Sequence, residues 1–226
     1  MRDQRTRVIT DIALAVALSV VLNLMALRLP INVAGGSISL TMLPIAVVAL
    51  RRGAVAAAIA GLLFGCFDLL MEPVILVPTQ VLLDYPVPYL LFGIVCGLFA
   101  PVYQRTQRWA LRKAVPDTAQ SAATNRPGSG RATELASSLV GGSAWIVIAV
   151  LLAGFVRYLT HVFSGVIFFA EYAGDQNVWL YSLLYNFAYL GPSLLCVLMC
   201  SLVLLPLLSR QLPVESVPLK RARFSS

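Results

Sequence analysis

An aspartate, Asp84, lies in the middle of a long apolar segment of the sequence. A charged side chain at the depth of a bilayer costs at least about 2.5 kcal/mol on insertion scales, so it usually faces a polar cavity or a partner. Gln80 lies one helical turn before Asp84 and Pro88 one turn after it, which places the three on one helix face. Pro86 and Pro88 also leave backbone carbonyls that neighbouring groups must satisfy. The segment is therefore predicted to form one wall of a polar pocket.

Polar and aromatic groups recur at a similar depth in two later apolar segments. Arg157 and His161 are spaced i,i+4 and share a helix face, and Tyr181 and Asn186 follow in the last segment. Aromatic faces hold flat or cationic rings, and a carboxylate accepts hydrogen bonds from amino groups. The combination favours capture of an aromatic, hydrogen-bonding solute, neutral or cationic.

Each of these groups also has a structural interpretation. Asp84 and Arg157 can form a buried ion pair, and His161 can be a core histidine whose hydrogen bonds are satisfied. Tyrosines often form an interfacial belt, and Asn186 can join two helices by a hydrogen bond. The functional interpretation depends on all of these groups occurring together at one depth.

The composition is typical of a membrane protein. Of the 226 residues, 59% are hydrophobic and 12% charged, and the mean hydropathy is +0.83, whereas soluble domains are about a quarter charged. We expect one membrane domain over residues 1–226, and we interpret the net charge of +7 as orientation charge rather than as a nucleic-acid-binding surface. Neither a disulfide, a metal site nor a cofactor is expected, because the four cysteines lie in apolar segments: Cys66, Cys96, Cys196 and Cys200.

Six apolar segments predict an all-α bundle of six membrane helices, each needing about 20 apolar residues. They cover residues 8–29, 37–50, 54–71, 75–103, 136–170 and 178–208. Residues 104–135 are predicted to be a basic loop, disordered over 116–133, and residues 209–226 a basic tail.

The basic residues sort to one side of this bundle. All but two of the 17 Lys and Arg lie in the N-terminus, the turn between the second and third segments, the 104–135 loop or the tail. The exceptions are Arg28 and Arg157. The positive-inside rule therefore predicts cytoplasmic N- and C-termini in a multi-pass protein of the bacterial plasma membrane.

The sequence resembles the thiamine-specific substrate-binding subunits (S-components, the ThiT family) of energy-coupling factor (ECF) vitamin transporters. The resemblance covers residues 8–208, apart from the 116–133 loop. The matching stretches are Thr10-Asp11-Ile12-Ala13, Leu50-Arg51-Arg52-Gly53, Gln80-Val81-Leu82-Leu83-Asp84-Tyr85, Arg157-Tyr158 through His161, Gly165-Val166-Ile167-Phe168, Glu171-Tyr172-Ala173, and Tyr181-Ser182-Leu183 through Asn186.

This resemblance implies a six-helix bundle with an external vitamin site that the first loop closes. It implies that His161 and Phe169 stack on the thiazolium ring of the ligand, and that Arg157 sets the charge state and orientation of Asp84. The ligand-binding residues expected on this basis are Asp84, Tyr85, His161, Phe169, Tyr181, Asn186, Phe64 and Arg157.

Three departures from the family pattern bear on the ligand. Asp84 stands where the family usually has Glu, Phe64 and Phe169 stand where it has Trp, and the first loop contains no Trp. Phenylalanine covers less area than tryptophan and attracts a cation less strongly. Thiamine is therefore the expected ligand, with a precursor or analogue as the alternative.

The resemblance also implies partners. Ala13 and Ala17 match a motif that packs on an ECF transmembrane coupling subunit, which works with two ATPase subunits. No GxxxxGK[ST] motif is present, so the chain is not expected to hydrolyse ATP. The alternative hypothesis is a stand-alone proton-coupled carrier in which Asp84 and His161 relay protons. An intramembrane enzyme is disfavoured, because the chain has one His and no HExxH motif.

Overall fold

The structure, a computed structural model, describes residues 2–26, 36–114 and 129–211. Its regular elements in these ranges are α-helices and one short 3-10 helix, Ala170–Ala173. The α-helices are α1 (Arg2–Leu24), α2 (Met42–Arg52), α3 (Ala54–Met71), α4 (Pro78–Asp84), α5 (Pro86–Leu98), α6 (Ala100–Ala114), α7 (Ser129–Phe168) and α8 (Val178–Gln211).

The prediction of an all-α membrane bundle is confirmed. Within the described residues, five helical spans are long and apolar enough to cross a membrane: Gln4–Leu24, Ala54–Met71, Pro78–Trp109, Gly142–Phe168 and Val178–Leu208. The predicted third helix, 54–71, coincides with α3 at both ends. The sidedness of the termini stays a prediction.

Helix α2 is shorter than the predicted 37–50 segment and begins later, at Met42. Its 11 residues extend only about 16 Å, against the roughly 30 Å of a bilayer's hydrocarbon core. Ile45, Ala46 and Ala49 are fully buried, and α2 contacts α1, α3, α5, α6 and α8. The second element is therefore an internal helix around which the longer helices pack.

The predicted fourth helix, 75–103, is divided into α4, α5 and α6, and it continues to Ala114. The first division falls at Tyr85, whose dihedral angles are φ −112° and ψ −79°. Pro86 begins α5 because its ring fixes a helical φ and its missing N–H costs nothing in the first turn. The second division falls at Phe99. The break before Pro86 places Asp84 and Tyr85 where one helix ends and the next begins.

Helices α3 and α5 pack backbone against backbone through a pair of GxxxG patterns. A Cβ atom added to Gly61 would overlap the carbonyl group of Tyr89, and one added to Gly65 would lie 2.6 Å from the Tyr85 carbonyl oxygen. In return, Gly93 and Gly97 of α5 meet the backbone at Ala57 and at Ala54. Small residues allow this close approach between membrane helices, and it brings Tyr85 and Tyr89 directly against α3.

Parts of the predicted loops are helical, and other parts lie outside the described residues. Helix α6 covers the start of the 104–135 loop, and α7 begins at Ser129, inside the stretch expected to be disordered. The rest of that stretch, most of the 209–226 tail and the first loop over 27–35 lie outside the described residues.

Replacing Gly61 by alanine tests the α3–α5 contact. We expect Gly61→Ala to lower stability by about 1–3 kcal/mol, because the new methyl group pushes two backbones apart. The measurement is thermal unfolding of the detergent-solubilised protein. Gly191→Ala is the matched control, since its Cβ would meet only the side chain of Phe187, at 3.2 Å. Equal unfolding midpoints for the two variants would contradict this account.

Candidate functional site

A polar cavity of about 180 Å³ opens between the C-terminal parts of α1, α3 and α7 and the N-terminal parts of α5 and α8. Its volume accommodates on the order of ten water molecules, so it is large enough for a small organic solute. All but one of the predicted ligand-binding residues line it: Asp84, Tyr85, Arg157, His161, Phe169, Tyr181 and Asn186.

Asp84 is positioned by Gln80, as the i,i+4 spacing predicts. The side-chain amide nitrogen of Gln80, Nε2, donates a short hydrogen bond to Asp84 Oδ2 and a second one, of 3.1 Å, to the Val74 carbonyl. Gln80 Oε1 accepts from the Leu76 amide at 3.0 Å. Gln80 is fully buried, so it joins the carboxylate to the non-helical segment between α3 and α4.

His161 faces Asp84 from α7. Its Nδ1 lies 3.8 Å from Asp84 Oδ1. Its Nε2 is buried and has no hydrogen-bond partner in the part of the chain that the structure describes. Because an unpaired buried polar atom costs free energy, this nitrogen is a ready partner for a solute in the cavity.

Arg157 does not pair with Asp84. Across the described ranges no carboxylate oxygen lies within 4.0 Å of its side-chain nitrogens, so the ion pair considered from the sequence is not formed. The guanidinium lies over the ring of Tyr89, with Cζ 4.0 Å from the ring centroid. Gln80, one turn before Asp84 on α4, is the group that is hydrogen-bonded to the carboxylate. The influence of Arg157 on the orientation and charge state of Asp84 stays a prediction.

A second carboxylate, Asp68, lines the cavity from α3. Asn23 Nδ2 donates to Asp68 Oδ1 at 2.8 Å, and the Tyr89 hydroxyl donates to Asp68 Oδ2 at 3.1 Å. Asp68 is not among the ligand-binding residues predicted from the sequence. The signal was the same as for Asp84: a carboxylate inside an apolar helix.

Three tyrosines of α8 form an aromatic wall at i, i+4 and i+8. The rings of Tyr181 and Tyr185 are stacked, with centroids 5.9 Å apart and an interplanar angle of 17°. Tyr189 meets Tyr185 at 5.8 Å and His161 at 6.4 Å, edge to face in both cases. Sequence reasoning selected Tyr181 and left out Tyr189, although the four-residue spacing places the three on one helix face.

Asn186 lines the cavity but is engaged by the protein. Its Nδ2 donates to the Ser182 carbonyl at 2.9 Å, and its Oδ1 accepts from the Tyr189 hydroxyl at 2.8 Å. Ser182 in turn donates to the Val162 carbonyl of α7 at 2.9 Å. This network fixes the orientation of Tyr189 and joins α7 to α8.

The mouth of the cavity is framed by loops. Phe169 lies 5.9 Å from Tyr172, between ring centroids. The Tyr85 hydroxyl donates to the Glu72 carbonyl at 2.8 Å and accepts from the Val74 amide at 2.7 Å. On the other side, the Ser39 amide donates to Ser193 Oγ at 3.1 Å.

Phe64 is the predicted site residue that does not line the cavity. It is fully buried and packs edge to face against Tyr89, with centroids 4.6 Å apart and an interplanar angle of 89°. Its ring faces the α3–α5 interface because Gly61 and Gly65 turn that side of α3 toward α5. Phe64 therefore supports Tyr89 from behind.

The fold and the cavity define a class: multi-helix membrane proteins with a polar, aromatic-lined cavity near one end of the bundle. Within that class, the chain belongs to the thiamine transporter protein family (Thia_YuaJ), whose model matches residues 9–213. It is a multi-pass protein of the cell membrane, and the family resemblance stated from the sequence is confirmed.

Two relatives carry the name thiamine transporter ThiT. The one from Bacillus subtilis (strain 168) is 32% identical over 199 residues, which cover 86% of each chain. The one from Lacticaseibacillus paracasei is 31% identical over 150 residues, covering 64% of this chain and 61% of the relative. A solved structure of ThiT from Listeria monocytogenes aligns with a TM-score of 0.63 and 24% identity, over 93% of this chain and 97% of that one. This likeness shows the fold.

Gln80→Leu tests the positioning of Asp84. We expect a loss of about 1–3 kcal/mol of stability, because Leu cannot make the hydrogen bonds that the buried Gln80 side chain forms with the Leu76 amide, the Val74 carbonyl and Asp84. The measurement is thermal unfolding in detergent. Leu82→Met is the control, since Leu82 is on the same helix and 55% exposed. A Gln80→Leu variant as stable as the control would show that the segment before α4 is held by other contacts.

Proposed function

We propose that this protein binds thiamine, or a close precursor or analogue, in the cavity, for import across the cell membrane. The observation that carries this proposal is the pairing of buried carboxylates with an aromatic wall in a cavity of solute size. Membership of the thiamine transporter family and the names of the relatives support the choice of ligand.

The chemistry of thiamine is complementary to that of the cavity. The ligand has a cationic thiazolium ring, a flat aminopyrimidine ring and a hydroxyethyl group. Asp84 accepts from the amino group or offsets the thiazolium charge, while Tyr181, His161 and Phe169 offer ring faces and edges. His161 Nε2 is available for a hydrogen bond with the ligand. Asn186 acts through Tyr189 in this proposal, because its own amide is already hydrogen-bonded.

We place the cavity on the external side of the membrane. The cavity lies at the C-terminal ends of α1 and α3, whereas Arg5 and Arg7 lie near the start of α1, and Arg51 and Arg52 precede α3. Arginines concentrate on the cytoplasmic side of membrane proteins. The cavity therefore opens outward. Residues 36–41 and the short α2 bring the chain back from the end of α1 to its start, where Arg52 Nε donates to Asp11 Oδ2 at 2.6 Å, so that both chain termini lie in the cytoplasm.

Titration of the purified protein with thiamine, followed by calorimetry, tests the ligand and the role of Asp84. We expect the wild type to bind and Asp84→Asn to bind about tenfold or more weakly, because a charge-assisted hydrogen bond contributes about 1.5–3 kcal/mol. Asp175→Asn, a change to an exposed carboxylate in the loop before α8, is the matched control. Unchanged affinity in Asp84→Asn would remove Asp84 from the site.

We also propose that the protein is the S-component of an ECF-type importer and works with a coupling subunit and two ATPase subunits. Ala13 and Ala17 are exposed on the outer face of α1, while Ile12, Ala15 and Val16 face the bundle. Two exposed small residues one turn apart permit close backbone approach by a partner helix. This surface fits the role that the sequence resemblance implies for Ala13 and Ala17.

The Ala17→Leu variant tests association with the coupling subunit separately from thiamine binding. We expect thiamine affinity to stay unchanged and ATP-dependent uptake, in cells that supply the partner subunits, to fall at least about tenfold, because Leu holds a partner backbone away. Ala188→Leu, an equal change at another exposed alanine, should leave uptake intact. Uptake by the chain alone, in vesicles with a proton gradient, would favour the stand-alone carrier in which Asp84 and His161 relay protons.

A further inference from the structure

Asp68 and Arg157 flank Tyr89 at one side of the cavity, and both line it. Their charged groups do not lie within 4.0 Å of each other. Tyr89 lies between them, since its hydroxyl donates to Asp68 and its ring lies under the Arg157 guanidinium. This arrangement leaves an acceptor and a donor separated by a gap at the cavity wall.

One nitrogen of the Arg157 guanidinium, Nε, is buried without a hydrogen-bonded partner among the described residues. Arg157 is only 6% exposed. Its contact with the Tyr89 ring is a cation–π interaction, which stabilises the positive charge but provides no hydrogen-bond acceptor for Nε–H. A buried donor of this kind costs free energy until an acceptor reaches it.

Asp68 keeps acceptor capacity on the cavity side. A carboxylate has about four lone-pair sites, and the side chains of Asn23 and Tyr89 occupy two of them. Both donors come from helices in the wall, α1 and α5. The remaining sites are available to a donor on a molecule inside the cavity.

We propose that Asp68 and Arg157 form a subsite that binds the hydroxyl group of the ligand and selects the free alcohol over its phosphate ester. This inference rests on the proposed function, since it assigns one end of a thiamine-like ligand. A hydroxyl group both donates and accepts, so it bridges the gap between the two side chains. It donates to Asp68 and accepts from Arg157.

A phosphate ester lacks this match. It brings negative charge and acceptor oxygens beside Asp68, while Asp84 and Glu72 also line the cavity. Arg157 is the single basic Lys or Arg side chain among the described lining residues. Like charges disfavour the ester at Asp68, whereas Arg157 favours it. The two side chains therefore act on the ester in opposite directions and on the alcohol in the same direction.

Calorimetric titration with three ligands tests the subsite: thiamine, an analogue with ethyl in place of hydroxyethyl, and thiamine monophosphate. We expect the wild type to prefer thiamine over the ethyl analogue by about tenfold or more. Asp68→Asn should reduce the preference for thiamine over the ethyl analogue to about threefold or less. It should also lower the ratio of thiamine to monophosphate affinity by at least about tenfold, because Asn keeps the shape of Asp but removes its charge. Asp175→Asn should change neither ratio.

Arg157→Gln gives a second measurement, with the opposite sign for the ester. We expect it to weaken the preference for the hydroxyl and to widen the discrimination against the monophosphate. Ratios between ligands within one variant do not depend on how much of that variant is folded. Two results would overturn the subsite while thiamine still binds. One is that Asp68→Asn leaves the affinity ratios between thiamine and the other two ligands unchanged. The other is that the ratio of thiamine to monophosphate affinity shifts in the same direction in both variants. Failure of the wild type to bind thiamine would instead overturn the proposed function itself.

Discussion

The contact between the backbones of α3 and α5 is the constraint on which the cavity depends. Where a Cβ would overlap the carbonyl of Tyr89 at Gly61, or that of Tyr85 at Gly65, the two helices touch without intervening side chains. Tyr85 and Tyr89 then line the cavity, and the Tyr89 ring also packs edge to face on Phe64 of α3. Asp68 follows Gly65 by less than one turn, so the same contact also places this carboxylate beside the Tyr89 hydroxyl.

The helix break at Tyr85 adds the polar groups. Because α4 ends at Asp84 and α5 begins at Pro86, the carboxylate lies where backbone groups are no longer paired within one helix. Gln80 and the Tyr85 hydroxyl satisfy the amide and carbonyl groups of the preceding segment, at Glu72, Val74 and Leu76. The irregular backbone between α3 and α4 is therefore held by side chains of α4 and its C-terminal end, and Glu72 and Val74 of this segment line the cavity.

The sequence predicted the polar residues better than it predicted their partners. Asp84, His161 and Tyr181 were recognisable because ionisable or polar groups in apolar segments are costly and their i,i+4 spacing is visible. Which of them meet across helices depends on how each helix is rotated about its axis. Helix α3 is apolar around most of its surface, so its pattern did not show that Phe64 packs behind Tyr89 of α5 while Asp68, one turn later on the same face, lines the cavity. The internal position of α2 was not predicted, although its predicted segment, 37–50, was already too short for a helix that spans a bilayer.

The charges of the cavity connect stability to binding. Asp68 and Asp84 are two carboxylates in the wall, and Arg157 supplies one guanidinium that pairs closely with neither. Burying separated charges costs free energy that hydrogen bonds from Asn23, Tyr89 and Gln80 offset only in part. A cationic ligand that also carries a hydroxyl would supply the missing charge and the missing contacts together. Binding of such a ligand would recover part of this free energy, and a ligand without either group would recover less of it.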